Sequence, residues 1–131
     1  MSYEKFITYK EGIEKDLKID QFNIHNKVND IPSLKHYWVA KLIESKIELK
    51  NLQKKKNQLI KKVNESAEVG IHFSTHTAKT LMAKSPVINE INEEIEEMEL
   101  IIEYLEKAEK IFSSTTYDIK NAIELMKMES M

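Results

Sequence analysis

Stepping along the chain by fours and threes from Trp38 lands on Trp38, Leu42, Ser45, Leu49, Leu52, Lys56, Leu59 and Val63, of which six are apolar. The same stepping from Ile88 gives Ile88, Ile91, Ile95, Met98, Ile102, Leu105, Glu109, Phe112, Thr116, Ile119, Ile123 and Met126, ten of them apolar. Apolar residues at a mean spacing of 3.5 mark a helix that presents a narrow seam to a partner helix. The sequence therefore predicts two long helices, each built around one seam. A shorter amphipathic helix is predicted over Ser2 to about Lys18, from Tyr3, Phe6, Ile7, Ile13 and Leu17. Gly12 weakens it by about 1 kcal/mol relative to alanine. Between Ile19 and Asn29 the pattern fades, and Phe22, Ile24, Val28 and Ile31 are expected to dock as an irregular or short helical piece.

The punctuation sets the expected boundaries. Asp30-Ile31-Pro32 reads as a start signal: an aspartate that can cap free amides, then a proline in the first turn. This first long helix is expected to end near Ser66, with Gly70 as a stop. Ser85-Pro86 opens the second. Ser113-Ser114-Thr115-Thr116 brings in residues that favour caps: either one helix runs through to Met128 or it kinks there and restarts in register, and the kink is the preferred reading. The result is a single all-α domain with five parts. These are an N-terminal segment (1–29), a long helix (30–66), a connection (67–84), a second long helix (85–113) and a C-terminal helical segment (114–131).

Charge decides how the long helices should meet. Between Lys41 and Lys62 there are eight lysines against Glu44 and Glu48, whereas between Asn89 and Lys110 nine glutamates face Lys107 and Lys110. Two helices of opposite charge joined by a modest connection are expected to fold back as an antiparallel, coiled-coil-like hairpin. Charge on the flanks disfavours pairing of like helices. Such a pair leaves Val39, Ile43, Ile47, Ile60, Leu100, Ile101, Tyr104 and Ile111 off the seam. Terminal segments and other copies of the chain are expected to cover them, so a homo-oligomer is predicted. An apolar edge of Ile119, Ile123 and Met126 is the candidate for assembly.

Composition removes several kinds of chemistry. With only two glycines and two prolines in 131 residues, a sandwich or barrel lacks its turns. There is no cysteine, hence no disulfide, thiolate site or thiol nucleophile. No apolar stretch approaches the length of a membrane span, and the first residues lack the apolar core of a signal peptide, so a cytoplasmic protein is expected. His72 and His76 share a spacing that suits a metal, but no further ligands accompany them, and two surface histidines are the preferred reading. No metal or cofactor is expected. His25 and His36 stand without a motif. The glutamates from Glu90 to Glu109 lie on a coil surface that offers no pocket to shift a carboxyl pKa, so no enzyme is predicted.

The lysines Lys54, Lys55, Lys56, Lys61 and Lys62 are the candidate site. Three consecutive lysines spread over most of a helical turn, so they cannot all face an acidic partner helix. Composition alone leaves open whether they solvate the hairpin or bind an anion. All basic residues are lysines, so any anion meets flexible point charges rather than the planar fork of arginine. Aromatics that could stack on bases are few: Phe73, and Tyr37 or Trp38, with Trp38 assigned to the core.

Four stretches stand out: Ile19-Asp20; Asp30-Ile31-Pro32-Ser33-Leu34 followed by Trp38 and a lysine-rich helix; Ile102-Glu103-Tyr104-Leu105-Glu106; and Ile119-Lys120-Asn121-Ala122-Ile123-Glu124. Together they resemble the UvsY-like recombination mediators of T-even-like bacteriophages. The resemblance spans about Ile19 to Met128. It implies a ring-like homo-oligomer that binds single-stranded DNA and serves DNA recombination, repair and replication. Such a protein helps load a recombinase onto DNA covered by single-strand-binding protein, within the host cytoplasm. The family's DNA-contacting basic residues fall near the end of the first long helix, where this chain has Lys61 and Lys62, with Lys54, Lys55 and Lys56 one to two turns earlier. Where that family often carries a Tyr-Tyr-Ser-Gly-like stretch, this chain reads Ser66-Ala67-Glu68-Val69-Gly70. The alternative is a helical structural or interaction protein with no nucleic-acid role, in which the lysines serve only the acidic helix.

Overall fold

The computed structural model describes residues 3–19, 23–68 and 85–130. They form three helices: α1 (Glu4–Leu17), α2 (Ile24–Glu68) and α3 (Pro86–Glu129). No strand occurs among the described residues. His72, Phe73, His76 and most of the connection lie outside them.

The two long helices have 45 and 44 residues, so each is roughly 65 Å long. Their contacts run in opposite order. Lys46 meets Glu106 at 3.3 Å, Lys56 and Ile60 lie beside Ile95 and Glu99, and Lys55 and Leu59 lie beside Val87, Glu90, Ile91 and Glu94. The helices are therefore antiparallel. The burial pattern follows the heptad stepping. On α2, Trp38, Leu42 and Ser45 are buried, and Leu49, Leu52, Lys56, Leu59 and Val63 are half-buried. On α3, Ile88, Ile91, Met98, Leu105, Phe112 and Ile119 are buried. The Ser85 hydroxyl accepts from the Ile88 amide, with Pro86 in the first turn, as the start signal of α3 predicts.

A third helix changes what a two-helix reading expects. Ile101 and Ala108 of α3 lie off the seam, yet both are buried in one core with Ile13 of α1. Phe6 of α1 packs edge-on against Tyr104 with ring centres 5.4 Å apart. Burial, with a smaller contribution from Glu14, pushes the Tyr104 phenol above its usual pKa. Of the off-seam residues, Ile101 is covered by the chain itself, whereas Ile43, Ile47, Leu100 and Ile111 remain exposed.

Two boundaries differ from the sequence reading. First, α2 begins at Ile24 rather than near Asp30, and Pro32 sits inside it. An interior proline removes one backbone hydrogen bond and crowds the carbonyl four residues back, at a cost of about 3 kcal/mol. Ile24 and Ile31 before the proline and Trp38 after it are buried in one core, with Val28 packed against it, so core contacts on both sides carry the helix through. Second, α3 runs without interruption from Pro86 to Glu129, through the expected kink and through the boundary placed at 113/114. The Ser113 hydroxyl donates to the Glu109 carbonyl and the Thr116 hydroxyl to the Phe112 carbonyl. Such back-bonds satisfy the hydroxyls but slightly weaken a helix; the burial of Phe112 and Ile119 on either side carries it through.

Gly12 proves to be a packing residue. A methyl group there would lie 2.9 Å from the Trp38 ring. That ring cannot easily give way: its Nε1 donates to Asp16 at 2.8 Å, and Tyr9 and Tyr37 lie edge-on against it. Gly12→Ala should therefore destabilise the fold by about 1–3 kcal/mol, although helix propensity alone favours alanine. Thermal unfolding followed by circular dichroism checks the sign, and an unchanged or raised midpoint would refute the close approach. Ser45 is the opposite case. Its hydroxyl is buried without a hydrogen-bond partner among the described residues, a condition that costs about 1–3 kcal/mol. Ser45→Ala is expected to raise the urea midpoint, by about 1 kcal/mol in stability.

Candidate nucleic-acid interface

The seam register distributes the lysines around α2. With Leu52, Leu59 and Val63 facing α3, Lys54 and Lys61 fall on the opposite side of the helix, with Lys50 close to them. Lys55 and Lys62 fall on one flank, and Lys56 occupies a seam position. Exposure follows this division: Lys50, Lys54, Lys55, Lys61 and Lys62 are exposed and Lys56 is half-buried. The five candidate residues therefore do not act as one cluster. Lys55 borders the cleft that contains Glu90 and Glu94, and Lys56 borders the one with Glu99. Lys54 and Lys61 project away from the acidic helix, and Lys50, which the sequence reading does not single out, joins them. A helical wheel of α2 would have revealed it.

None of these six lysines forms an ion pair among the described residues. The lysines that do are Lys5 with Glu48, Lys10 with Glu14, Lys41 with Glu44, Lys46 with Glu106 and Lys107 with Glu103. Only Lys46–Glu106 joins α2 to α3 among them. The expected matching of a basic and an acidic helix is thus present as proximity of opposite charge, with one direct pair.

A second cluster of functional side chains lies nearer the start of α2. Lys5, Thr8 and Tyr9 of α1, with Tyr37, Trp38 and Lys41 of α2, line an open cleft. Trp38 is buried, as the sequence reading assigns it, and Tyr37 is 51% exposed. The Tyr37 and Trp38 rings are nearly perpendicular with centres 5.0 Å apart, and Tyr9 meets Trp38 at 6.1 Å. The Lys41 ammonium lies 5.4 Å from the Tyr37 ring centre. Hydrogen bonding to Glu44 raises the Lys41 pKa and holds it charged.

At the far end of α3, the three candidate assembly residues part company. Ile119 is buried in the chain's own core, Ile123 is packed against that core, and Met126 is 40% exposed. Tyr117, Leu125 and Met128 are exposed on a different face of the same helix end. Sequence reasoning passes over these three because they lie off the seam, at spacings of eight and three that also return to one face. Among the described residues, no group of three side chains could hold a metal ion. No described helix is long and apolar enough to cross a membrane. His25 and His36 are exposed.

No curated protein matches the chain. Two crystal structures of the bacteriophage T4 recombination mediator protein UvsY share its fold. One aligns with a TM-score of 0.79 over 98% of this chain and 99% of that one, at 17% identity. The other, from a different lattice, aligns with a TM-score of 0.74 over 93% and 95%, at 15% identity. The family model described as "Recombination, repair and ssDNA binding protein UvsY" matches residues 12–131, nearly the whole sequence, and the chain belongs to the UvsY family.

Proposed function

We propose that this protein is a recombination mediator. It binds single-stranded DNA without regard to sequence and helps load a recombinase onto DNA covered by single-strand-binding protein. It works as a coiled-coil-like hairpin assembled into a homo-oligomer. The observation that carries the reading is the set of exposed lysines on the C-terminal half of α2 that form no ion pair among the described residues, in a chain of a family described as binding single-stranded DNA. Lysine heads without partners can neutralise phosphates without first breaking a bond within the protein. Contacts of this kind position a strand but do not read its bases.

The competing reading, a structural protein whose lysines serve the acidic helix, draws on the same charge complementarity. It is weakened by the single direct pair between α2 and α3 among the described residues. Assembly draws support from the end of α3, where Tyr117, Leu125 and Met128 stay in solvent on one face and Met126 stays in solvent on the seam side. Copies joined there would repeat the lysine stripe, and modest affinities add up when sites are linked.

Combined replacement of Lys54, Lys61 and Lys62 by alanine should weaken binding to a single-stranded oligonucleotide while helicity persists. The plot of log K against log salt should flatten by about 0.7 for each phosphate that is no longer neutralised. A fluorescence titration measures both, and unaltered affinity and slope would move the interface elsewhere. Leu125→Glu together with Met126→Glu should lower the mass observed in sedimentation with little loss of helix signal. A mass equal to that of the unmodified protein would remove this edge from the assembly.

A further inference from the structure

The cleft between α1 and α2 is built differently from the lysine stripe. Three aromatic side chains, Tyr9, Tyr37 and Trp38, form its walls with Lys5 and Lys41 at the rim. The rim cations are not free. Lys5 is held by both oxygens of Glu48, at 2.8 and 2.7 Å, and Lys41 lies 3.3 Å from Glu44. Two lysines and two glutamates leave the rim near neutral. The cleft therefore offers π surface rather than charge, which suits a flat, uncharged ring better than a bare phosphate.

The walls are also set in place before anything binds. Trp38 is fixed by its hydrogen bond to Asp16, by its seat over Gly12 and by edge-on contacts on both sides. A preformed aromatic surface costs little ordering entropy on binding. Tyr37 rests on this fixed ring and keeps half of its surface in solvent.

The location matters as much as the walls. Lys41, Glu48, Lys55 and Lys62 follow one another every seven residues and lie along one flank of α2, and Lys5 offsets Glu48. The cleft opens beside Lys41, at one end of this row. From Lys41 to Lys55 is roughly 20 Å along the helix axis, within the reach of a strand of several nucleotides.

We propose that this cleft is a nucleobase-stacking subsite for single-stranded DNA, with Tyr37 as the ring on which a base lies and Trp38 and Tyr9 as its support. The proposal rests on the reading of the chain as a single-stranded-DNA binder and adds to it a base-dependent contact that lysines cannot provide. Base–aromatic stacking tolerates every base, because each has a π face. The subsite thus raises affinity without introducing sequence preference.

The test compares a thymidine oligonucleotide with an abasic one of the same length and phosphate count. The unmodified protein should bind the thymidine strand about 5- to 150-fold more tightly. Tyr37→Ala should erase that preference, leave abasic binding unchanged and keep the salt slope, while Tyr37→Phe should retain it. Trp38 is the single tryptophan of the chain, so its emission in the unmodified protein should respond to the thymidine strand and not to the abasic one. That reading needs no variant and decides the matter if Tyr37→Ala fails to fold. Equal binding of both strands with silent Trp38 emission, or a full preference in Tyr37→Ala, overturns the subsite and leaves DNA binding intact. Failure to bind either strand at low salt overturns DNA binding, and the subsite with it.

Discussion

The apolar seam between α2 and α3 is the interaction on which the rest of the molecule depends. A solvent-exposed ion pair contributes roughly 0–1 kcal/mol, whereas burying one leucine or isoleucine side chain contributes about 1.5–3 kcal/mol. One ion pair crosses between the long helices among the described residues, against a core that includes Leu42, Ile88, Ile91, Met98, Leu105, Phe112 and Ile119. Apolar burial therefore holds the pair together, and the flanking charges act on which helix faces which. Because the seam fixes the register of α2, Lys50, Lys54, Lys61 and Lys62 fall outside it and are exposed among the described residues.

The short helix α1 completes a core that two helices alone would leave open. It lies over α2 and α3, buries Ile13 and supplies Phe6 and Tyr9 to the same cluster. At Gly12, the absence of a side chain lets the Trp38 ring sit close against α1. The same approach brings Tyr9 beside Trp38 and creates the aromatic cleft. One glycine thus serves both packing and the shape of the surface, which helix propensity does not foresee.

The seams were legible in the sequence because a 3.5-residue spacing has a direct geometric meaning. Even the two polar oddities of the α2 seam hold: Ser45 is buried and Lys56 is half-buried at the positions the stepping assigns. The start of α3 was legible from Ser85-Pro86 for a similarly local reason. What was not legible depends on tertiary contacts. Pro32 looks like a helix start, but the burial of Ile24 and Ile31 draws the preceding turn into α2. Ser113 to Thr116 look like a break, yet their hydroxyls bond back to the helix. Ile101 and Ala108 join the core only because α1 covers them. For the candidate site, the lysines were visible as a run, but their division among outward, flanking and seam positions needed the register of α2. Ile119 shows the converse: an apolar residue chosen for assembly is already buried by its own chain.

The uninterrupted course of α3 separates the two proposed surfaces. Lys55 lies beside Glu90 and Glu94 near the start of α3, and Met126 is more than thirty residues further along the same helix. At ~1.5 Å per residue, the basic stripe and the apolar edge are roughly 50 Å apart. Copies that associate through Leu125, Met126 and Met128 would not cover the lysines of α2, and a strand lying along those lysines would not obstruct the contact between copies. A kink at Ser113 could have folded the apolar edge back towards the body of the molecule and closed that distance. The continuous helix thus bears on the proposed function as well as on fold. It sets the lysines of the C-terminal half of α2 far from the proposed assembly edge, whereas the Tyr37 cleft, near the start of the antiparallel α2, lies closer to that edge.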